Sequence, residues 1–189
     1  MKNEPMTTAT YLEKLTKTLG AINCSEMDQA IDVIERVWRS GKQIITLGNG
    51  GSSMTALHFI NDWNKSIYLS TKIPFKGRSL VDNMGLVMSY SNDISFQDVF
   101  VEQLKNILQP GDLVLAISGS GNSENVIRAV EYANQNKAVT LGLCGYSGGK
   151  LKSLAQHVVW VDVNDMQIAE DAHAIFGHIV MQRLCGYAV

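Results

Sequence analysis

The sequence has 189 residues, of which 16 are Lys or Arg and 18 are Asp or Glu, giving a formal net charge of -2. Single domains typically run to about 100–200 residues, so we expect one domain with helical additions. A near-neutral chain has no general attraction for nucleic acid, and we expect no such partner. Its apolar stretches are shorter than the roughly 20 residues of a membrane span, and residues 1–10 lack the core of a signal peptide. We therefore expect a cytoplasmic protein that does not bind membranes.

The first forty residues show two amphipathic patterns. Apolar residues recur at helical spacing over residues 10–22 and again over residues 25–39. Ser25, three residues before Asp28, is typical of a residue that caps a helix start. We predict a helical extension over residues 1–40, which serves oligomerisation, ahead of a main domain over residues 41–189.

After residue 41, short apolar runs alternate with helical patterns. Continuous apolar runs predict strands that are buried on both faces, and their alternation with helices is typical of a parallel sheet. We therefore predict a doubly wound α/β fold, in which a mostly parallel, five-stranded sheet carries helices on both faces. The predicted strands are 43–47, 78–81, 113–117, 139–143 and 158–161, and the predicted helices are 53–64, 95–108, 123–136, 150–155 and 166–185. Residues 65–77, which include Pro74, are predicted to form a loop.

Two turns rich in glycine and serine follow predicted strands, at residues 48–53 (GNGGSS) and 118–123 (SGSGNS). Ligands of parallel α/β sheets bind at the carboxyl ends of the strands, where helix N-termini favour anions. Glycines allow close approach of the backbone to an anion, and serine hydroxyls donate to phosphate oxygens. We predict that 118–123 binds the phosphate of a sugar; the alternative is that Ser123 merely caps the next helix. Neither turn has the spacing of a nucleoside triphosphate loop or a dinucleotide fingerprint.

Polar residues on two predicted helices are candidates for chemistry. His58 and Asp62 lie four residues apart and share one helix face, and Glu170, His173 and His178 lie in an otherwise apolar helix. For His173 we favour a supporting or interface role. Glu170 and His178 are separated by about 12 Å of helical rise. Either Glu170 precedes the regular helix, or two subunits contribute to one site.

These segments resemble the sugar-isomerase (SIS) domain family and, within it, the sedoheptulose 7-phosphate isomerases. The similarity extends over essentially the whole chain, with the main domain as the SIS domain. It is carried by GNGGSSMTALHF at 48–59, SND at 91–93, GDLVLAISGSGNSENVIRA at 111–129, LGLCGYSGGKL at 141–151 and EDAHAIFGH at 170–178. The resemblance implies conversion of D-sedoheptulose 7-phosphate into D-glycero-D-manno-heptose 7-phosphate, for surface glycans such as lipopolysaccharide or capsule. It also implies a homotetramer with active sites between subunits.

The resemblance also assigns site residues. Asp62 and His178 fall on the positions of the family's proposed acid/base pair, and one zinc ion per site is implied, with His58, Asp62, Glu170 and His178 as ligands. The residues expected to bind substrate are Asn49, Gly50, Gly51, Ser52, Asp93, Ser118, Gly119, Ser120, Asn122, Ser123 and Glu170.

Four positions differ from the family pattern. Asp62 stands where glutamate is typical, Glu170 where glutamine is typical, and Gly119 where threonine is usual. Ser66, beside Lys65, stands where an arginine is common. Two alternatives to an isomerase are a non-catalytic SIS protein that associates with the replication initiator DnaA and a sensor that binds a sugar phosphate without converting it. The DnaA-associated relatives usually lack the histidine equivalent to His178. The presence of His58, a carboxylate at 62 and His178 together therefore favours the enzyme.

Overall fold

The computed structural model describes residues 6–186, so the ends of the two expected segments, residues 1–5 and 187–189, lie outside the described residues. Within that range the chain forms one five-stranded sheet in the order β2-β1-β3-β4-β5, and each neighbouring pair of strands is parallel. The prediction of a doubly wound α/β fold is confirmed. The strands are β1 (Ile44–Gly48), β2 (Gly77–Ser79), β3 (Leu113–Ser118), β4 (Val139–Cys144) and β5 (His157–Trp160).

Helices precede the sheet and connect its strands. One of the connections contains a π-helical turn at Trp63–Ile67. The helices are α1 (Thr8–Ala21), α2 (Cys24–Arg39), α3 (Gly51–Asp62), α4 (Tyr68–Thr71), α5 (Met84–Asp93), α6 (Val99–Ile107), α7 (Glu124–Gln135), α8 (Gly149–Leu154) and α9 (Met166–Cys185). Among residues 6–186, no helix combines the length and the apolar character needed to cross a membrane.

The sheet separates two apolar layers, and alternate strand residues point into opposite layers. In β3, Leu113 and Leu115 belong to the layer formed with α2, α3 and α9, whereas Val114 belongs to the layer formed with α6 and α7. This alternation follows from the two-residue period of a strand. It explains why the strands read as continuous apolar runs.

The start of α2 differs from the prediction that Ser25 caps it. Asn23 holds the cap position, and its Oδ1 accepts hydrogen bonds from the amides of Ser25 (3.1 Å) and Glu26 (3.3 Å). Asparagine is as good a cap as serine, and residue 24 already has helical geometry. Ser25 therefore lies inside the first turn.

The predicted loop at 65–77 is wrong over its first half. The helical path that begins at Gly51 continues through the π-helical turn and α4 to Thr71, because Trp63 and Ile67 are both fully buried. The weak strand predicted at 78–81 is observed at Gly77–Ser79. The patterns also missed α5, whose side chains are all exposed or half-buried and so give no amphipathic signal.

Candidate active site at the carboxyl edge of the sheet

The two glycine-serine turns meet at the point where the strand order changes direction. β1 and β3 are neighbours in register from Ile44 opposite Leu113 to Gly48 opposite Ile117. The chain then leaves β1 toward one edge of the sheet and β3 toward the other, which opens a crevice between their carboxyl ends. A cavity of about 240 Å³ occupies this place. It is lined by Asn49, Gly50, Ser52, Ile117, Ser118, Gly119, Ser120, Ser123, Met166 and Glu170.

The serine-rich turn presents hydroxyl groups to this cavity. The Ser118 hydroxyl donates to Ser123 Oγ at 3.3 Å, and Ser123, although it holds the cap position of α7, makes no capping hydrogen bond to that helix. Asn125 Oδ1 accepts from the Val126 amide at 3.0 Å, so the Glu124 and Asn125 amides and the positive end of the α7 dipole remain available to an anion. The alternative, in which Ser123 is only a helix cap, does not describe this turn.

Asn122 has a different position from the other residues of the turn. It is exposed, its side chain donates to the Ser120 carbonyl (3.0 Å), and its Oδ1 accepts from the Lys150 amide (3.1 Å). Asn122 thus holds the turn against α8 rather than lining the cavity.

A pair of asparagines joins the two turns. Asn49 and Asn125 exchange side-chain hydrogen bonds, with Nδ2 to Oδ1 distances of 2.8 and 2.9 Å. Asn125 is buried at the start of α7 and was not among the predicted site residues. Its only signal in the sequence is its place two residues after the turn, on a face that also carries apolar residues.

Two of the glycines are required by close neighbours. At Gly51, a Cβ atom would lie 2.5 Å from Glu170 Oε1, so the absent side chain lets the carboxylate of α9 approach the N-terminus of α3. The positive end of the α3 dipole favours a carboxylate there. At Gly119, a Cβ atom would overlap the sulfur of Met166. Met166 thus occupies the space into which a larger side chain at 119 would extend.

A second polar group forms where α3 and α9 run side by side. His58 Nε2 lies 2.9 Å from His178 Nε2 and 3.5 Å from Asp62 Oδ2. One ligand atom from each of the three residues lies within 4.8 Å of the others. The two histidines are exposed and Asp62 is half-buried, so the group faces outward from the chain.

The donor set of this group suits a divalent transition metal. Two imidazole nitrogens and a carboxylate oxygen match the ligands of catalytic zinc sites, which keep a fourth position open. Nitrogen ligands about 2.0–2.1 Å from a tetrahedral ion lie about 3.4 Å apart, slightly farther than the two histidine nitrogens here. A small outward movement of the rings would admit an ion.

Glu170 lies apart from this group. It is half-buried at the cavity, and because α9 is regular from Met166 onward, Glu170 does not precede the helix. About 12 Å of helical rise separates it from His178. Of the two explanations open at the level of sequence, the first is wrong, and a contribution from two subunits stays a prediction.

Asp93 and His173, two residues considered in the sequence analysis, lie outside both the cavity and the three-residue group. Asp93 is exposed at the end of α5, where it accepts a hydrogen bond from Asn92 Nδ2 (2.8 Å), and it does not line the cavity within this chain. His173 is 1% exposed, and burial lowers its pKa to about 4. A neutral, enclosed His173 belongs to the interior.

Comparisons with known proteins identify relatives of this chain. The SIS domain model matches residues 10–145. A phosphoheptose isomerase of Crocosphaera subtropica is 31% identical over 161 residues, which cover 85% of this chain and 82% of the relative. The solved phosphoheptose isomerase GmhA from Neisseria gonorrhoeae has a TM-score of 0.86 at 23% identity, and covers 93% of this chain and 95% of its own. The solved phosphoheptose isomerase from Francisella tularensis has a TM-score of 0.87 at 22% identity. The match covers 96% of this chain and 100% of the Francisella chain.

Proposed function

Because this chain belongs to the SIS domain family, we propose that it is an aldose-ketose isomerase acting on a sugar phosphate. The proposed reaction converts D-sedoheptulose 7-phosphate into D-glycero-D-manno-heptose 7-phosphate, a precursor for surface glycans. The observation that carries this proposal is the meeting of His58, Asp62 and His178 within 4.8 Å on two helices that both begin at the serine-lined cavity.

The cavity is suited to the phosphate. Hydroxyls of Ser118, Ser120 and Ser123, with the first two amides of α7, supply donors without a lysine or arginine. This set recognises the phosphate end alone. The residues that select the length of the sugar must therefore contact its other end.

The three-residue group is suited to proton transfer. In the isomerisation a base takes a proton from C1, a proton returns at C2, and the carbonyl moves from C2 to C1, so no external oxidant or reductant is needed. We assign Asp62 and His178 as the pair that moves these protons. A carboxylate oxygen and an imidazole nitrogen can each accept a proton, so either can act as the base.

The same donor set would hold one zinc ion, with His58, Asp62 and His178 from one chain. When bound, such an ion stabilises negative charge on the two oxygens of the enediolate. Glu170 of the partner subunit is proposed as a fourth ligand, since the regular course of α9 keeps it from the ion within one chain.

A homotetramer with sites between subunits accounts for further features. The outward-facing histidines and Asp93 would be completed by a neighbouring chain. Large apolar side chains are exposed near the cavity, among them Met54, Met84 and Phe96, and such a concentration is typical of an interface.

The test is a product assay with purified protein against ketose phosphates of five to eight carbons, with metal content measured on the same sample. We expect turnover of sedoheptulose 7-phosphate and its loss in His178→Ala. Binding of the sugar phosphate without formation of product would instead support the sensor. A protein that neither binds nor converts the sugar phosphate but binds DnaA would support the scaffold.

Shared sites predict complementation. His178→Ala lacks the proton-transfer group, and Ser123→Asp repels phosphate at the cavity, so each variant alone is expected to be inactive. If each site combines the cavity of one chain with the histidine group of another, mixing the unfolded variants and refolding them together restores activity. Inactive mixed oligomers would refute the shared site.

A further inference from the structure

The proposed catalytic group is divided between two helices. His58 and Asp62 lie on α3 and His178 lies on α9, so the distances between them depend on how closely the helices approach. Misplacement of reacting groups by about 1 Å can reduce a rate by about 100-fold. Whatever fixes the spacing of α3 and α9 therefore bears on the reaction.

The two helices are in close contact one residue before His178. A Cβ atom built at Gly177 would overlap the ring of Phe59, which is 1% exposed. The ring occupies the place of a side chain at 177. Any side chain larger than that of glycine at this position would push the two helices apart.

Trp63 ties the helices together at the same level. Its indole Nε1 donates to the Gly177 carbonyl at 3.0 Å in a fully buried hydrogen bond. Its ring stacks on Phe59, with centroids 4.9 Å apart and planes 18° apart. It also makes a T-shaped contact with Phe75, with centroids 5.9 Å apart and planes 69° apart. The hydrogen bond and the two ring contacts together restrain the indole.

The backbone at Trp63 is itself held in place. Trp63 directly follows Asp62 and begins the π-helical turn, a feature that is frequent at functional sites. The next residue, Asn64, accepts from the Gly77 amide (2.9 Å) and donates to the Gly77 carbonyl (3.1 Å), which anchors the turn to the free edge of β2. Asp62 therefore lies at a fixed point where α3 changes its helical geometry.

We infer that Trp63 is a positioning residue for the proposed isomerase: through its hydrogen bond to Gly177 it sets the distance from His58 and Asp62 on α3 to His178 on α9. Trp63 does not line the cavity and acts only through these residues. The inference rests on the proposed function, because positioning has meaning only if the group reacts.

Trp38 provides a matched control for this role. It is 1% exposed, its Nε1 donates to the Pro74 carbonyl at 3.1 Å, and it packs on Phe75 at 6.3 Å. Trp38→Phe and Trp63→Phe thus each remove one indole hydrogen bond and leave a ring beside Phe75. The two differ in the partner of that hydrogen bond, because Trp63 donates to the helix that carries His178 and Trp38 donates to Pro74.

The experiment compares kcat, KM and melting temperature for the wild type and the two variants, well below the lowest melting temperature. We expect similar melting temperatures for the variants, a kcat that falls about 10-fold or more in Trp63→Phe alone, and KM within about two-fold of wild type, since the phosphate turn is untouched. Equal kcat in the two variants would overturn the positioning role. No turnover by the wild type would overturn the proposed function and this role with it.

A second pair of variants tests the contact directly, even if Trp63→Phe folds poorly. Gly177→Ala places a methyl group against the Phe59 ring, and we expect kcat to fall about 10-fold or more. Adding Phe59→Leu makes room for that methyl group, so the double variant is expected to regain kcat toward that of Phe59→Leu alone. Losses that simply multiply in the double variant would contradict a spacing effect.

Discussion

His173 offers a test of the packed interior that is independent of activity. It lies on the inner face of α9, 1% exposed, and within residues 6–186 neither ring nitrogen has a hydrogen-bond partner. Burial lowers its pKa from 6.5 to about 4; the nearby Cys144 carbonyl opposes this shift without meeting hydrogen-bond geometry. The ring is therefore neutral in the folded chain at neutral pH.

The depressed pKa makes folding stability depend on pH. Below pH 6.5 the unfolded chain binds a proton at His173 that the folded chain does not bind until about pH 4. Stability is thus fully present above pH 6.5 and is lost as the pH falls toward 4. At about 1.36 kcal/mol per pKa unit, the total loss is roughly 3 kcal/mol, of which about 2 kcal/mol is lost by pH 5.

The assay is urea unfolding of wild type and His173→Leu at pH 7, 6 and 5, at one protein concentration. Other titrating groups contribute equally to both proteins, so the difference between them isolates His173. We expect the free energy of unfolding of the wild type to fall by about 2 kcal/mol more than that of His173→Leu between pH 7 and pH 5. Parallel pH dependences would refute the reasoning, since they would mean that His173 titrates alike in both states.

Three further predictions concern the cavity. Ser123→Ala is expected to raise KM for the sugar phosphate about 10-fold or more, because a hydrogen bond to a charged group contributes roughly 1.5–3 kcal/mol; an unchanged KM in steady-state kinetics would remove Ser123 from the phosphate site. Gly51→Ala is expected to displace the Glu170 carboxylate and lower kcat about 10-fold, while the melting temperature stays within a few degrees. Asn125→Ala is expected to lower the free energy of unfolding by about 1–3 kcal/mol in urea titrations, and adding Asn49→Ala is expected to cost less than the sum, because the two share their hydrogen bonds.

The sequence predicted those helices and strands whose own side chains show a regular pattern of buried residues. Residues 166–185 were predicted as a helix and are observed as such, because core contacts recur along its length. α5 could not be predicted from its pattern, since Val87 and Tyr90 pack against the core half-buried and its other apolar side chains are exposed. The π-helical turn departs from the 3.6-residue period, which is why the helix predicted at 53–64 was not continued to Ile67.

The sequence predicted which residue types form the candidate site, but it only partly predicted which of these residues lie close together in space. The spacing of His58 and Asp62 placed them on one face, but only the packing of α9 against α3 brings His178 to them. Trp63 and Gly177 carry no polar signature in the sequence. Their role depends on a contact between helices more than 100 residues apart, which one-dimensional periodicity does not contain.

The most direct measurement of the central claim is turnover of sedoheptulose 7-phosphate in D2O, followed by proton NMR. We predict that the wild type forms the aldose with deuterium at C2, because the proton lost from C1 exchanges with solvent through the Asp62 and His178 pair, and that His178→Ala forms no aldose. Absence of product and exchange with the wild type, with and without zinc, would contradict it. So would turnover by His178→Ala at the wild-type rate.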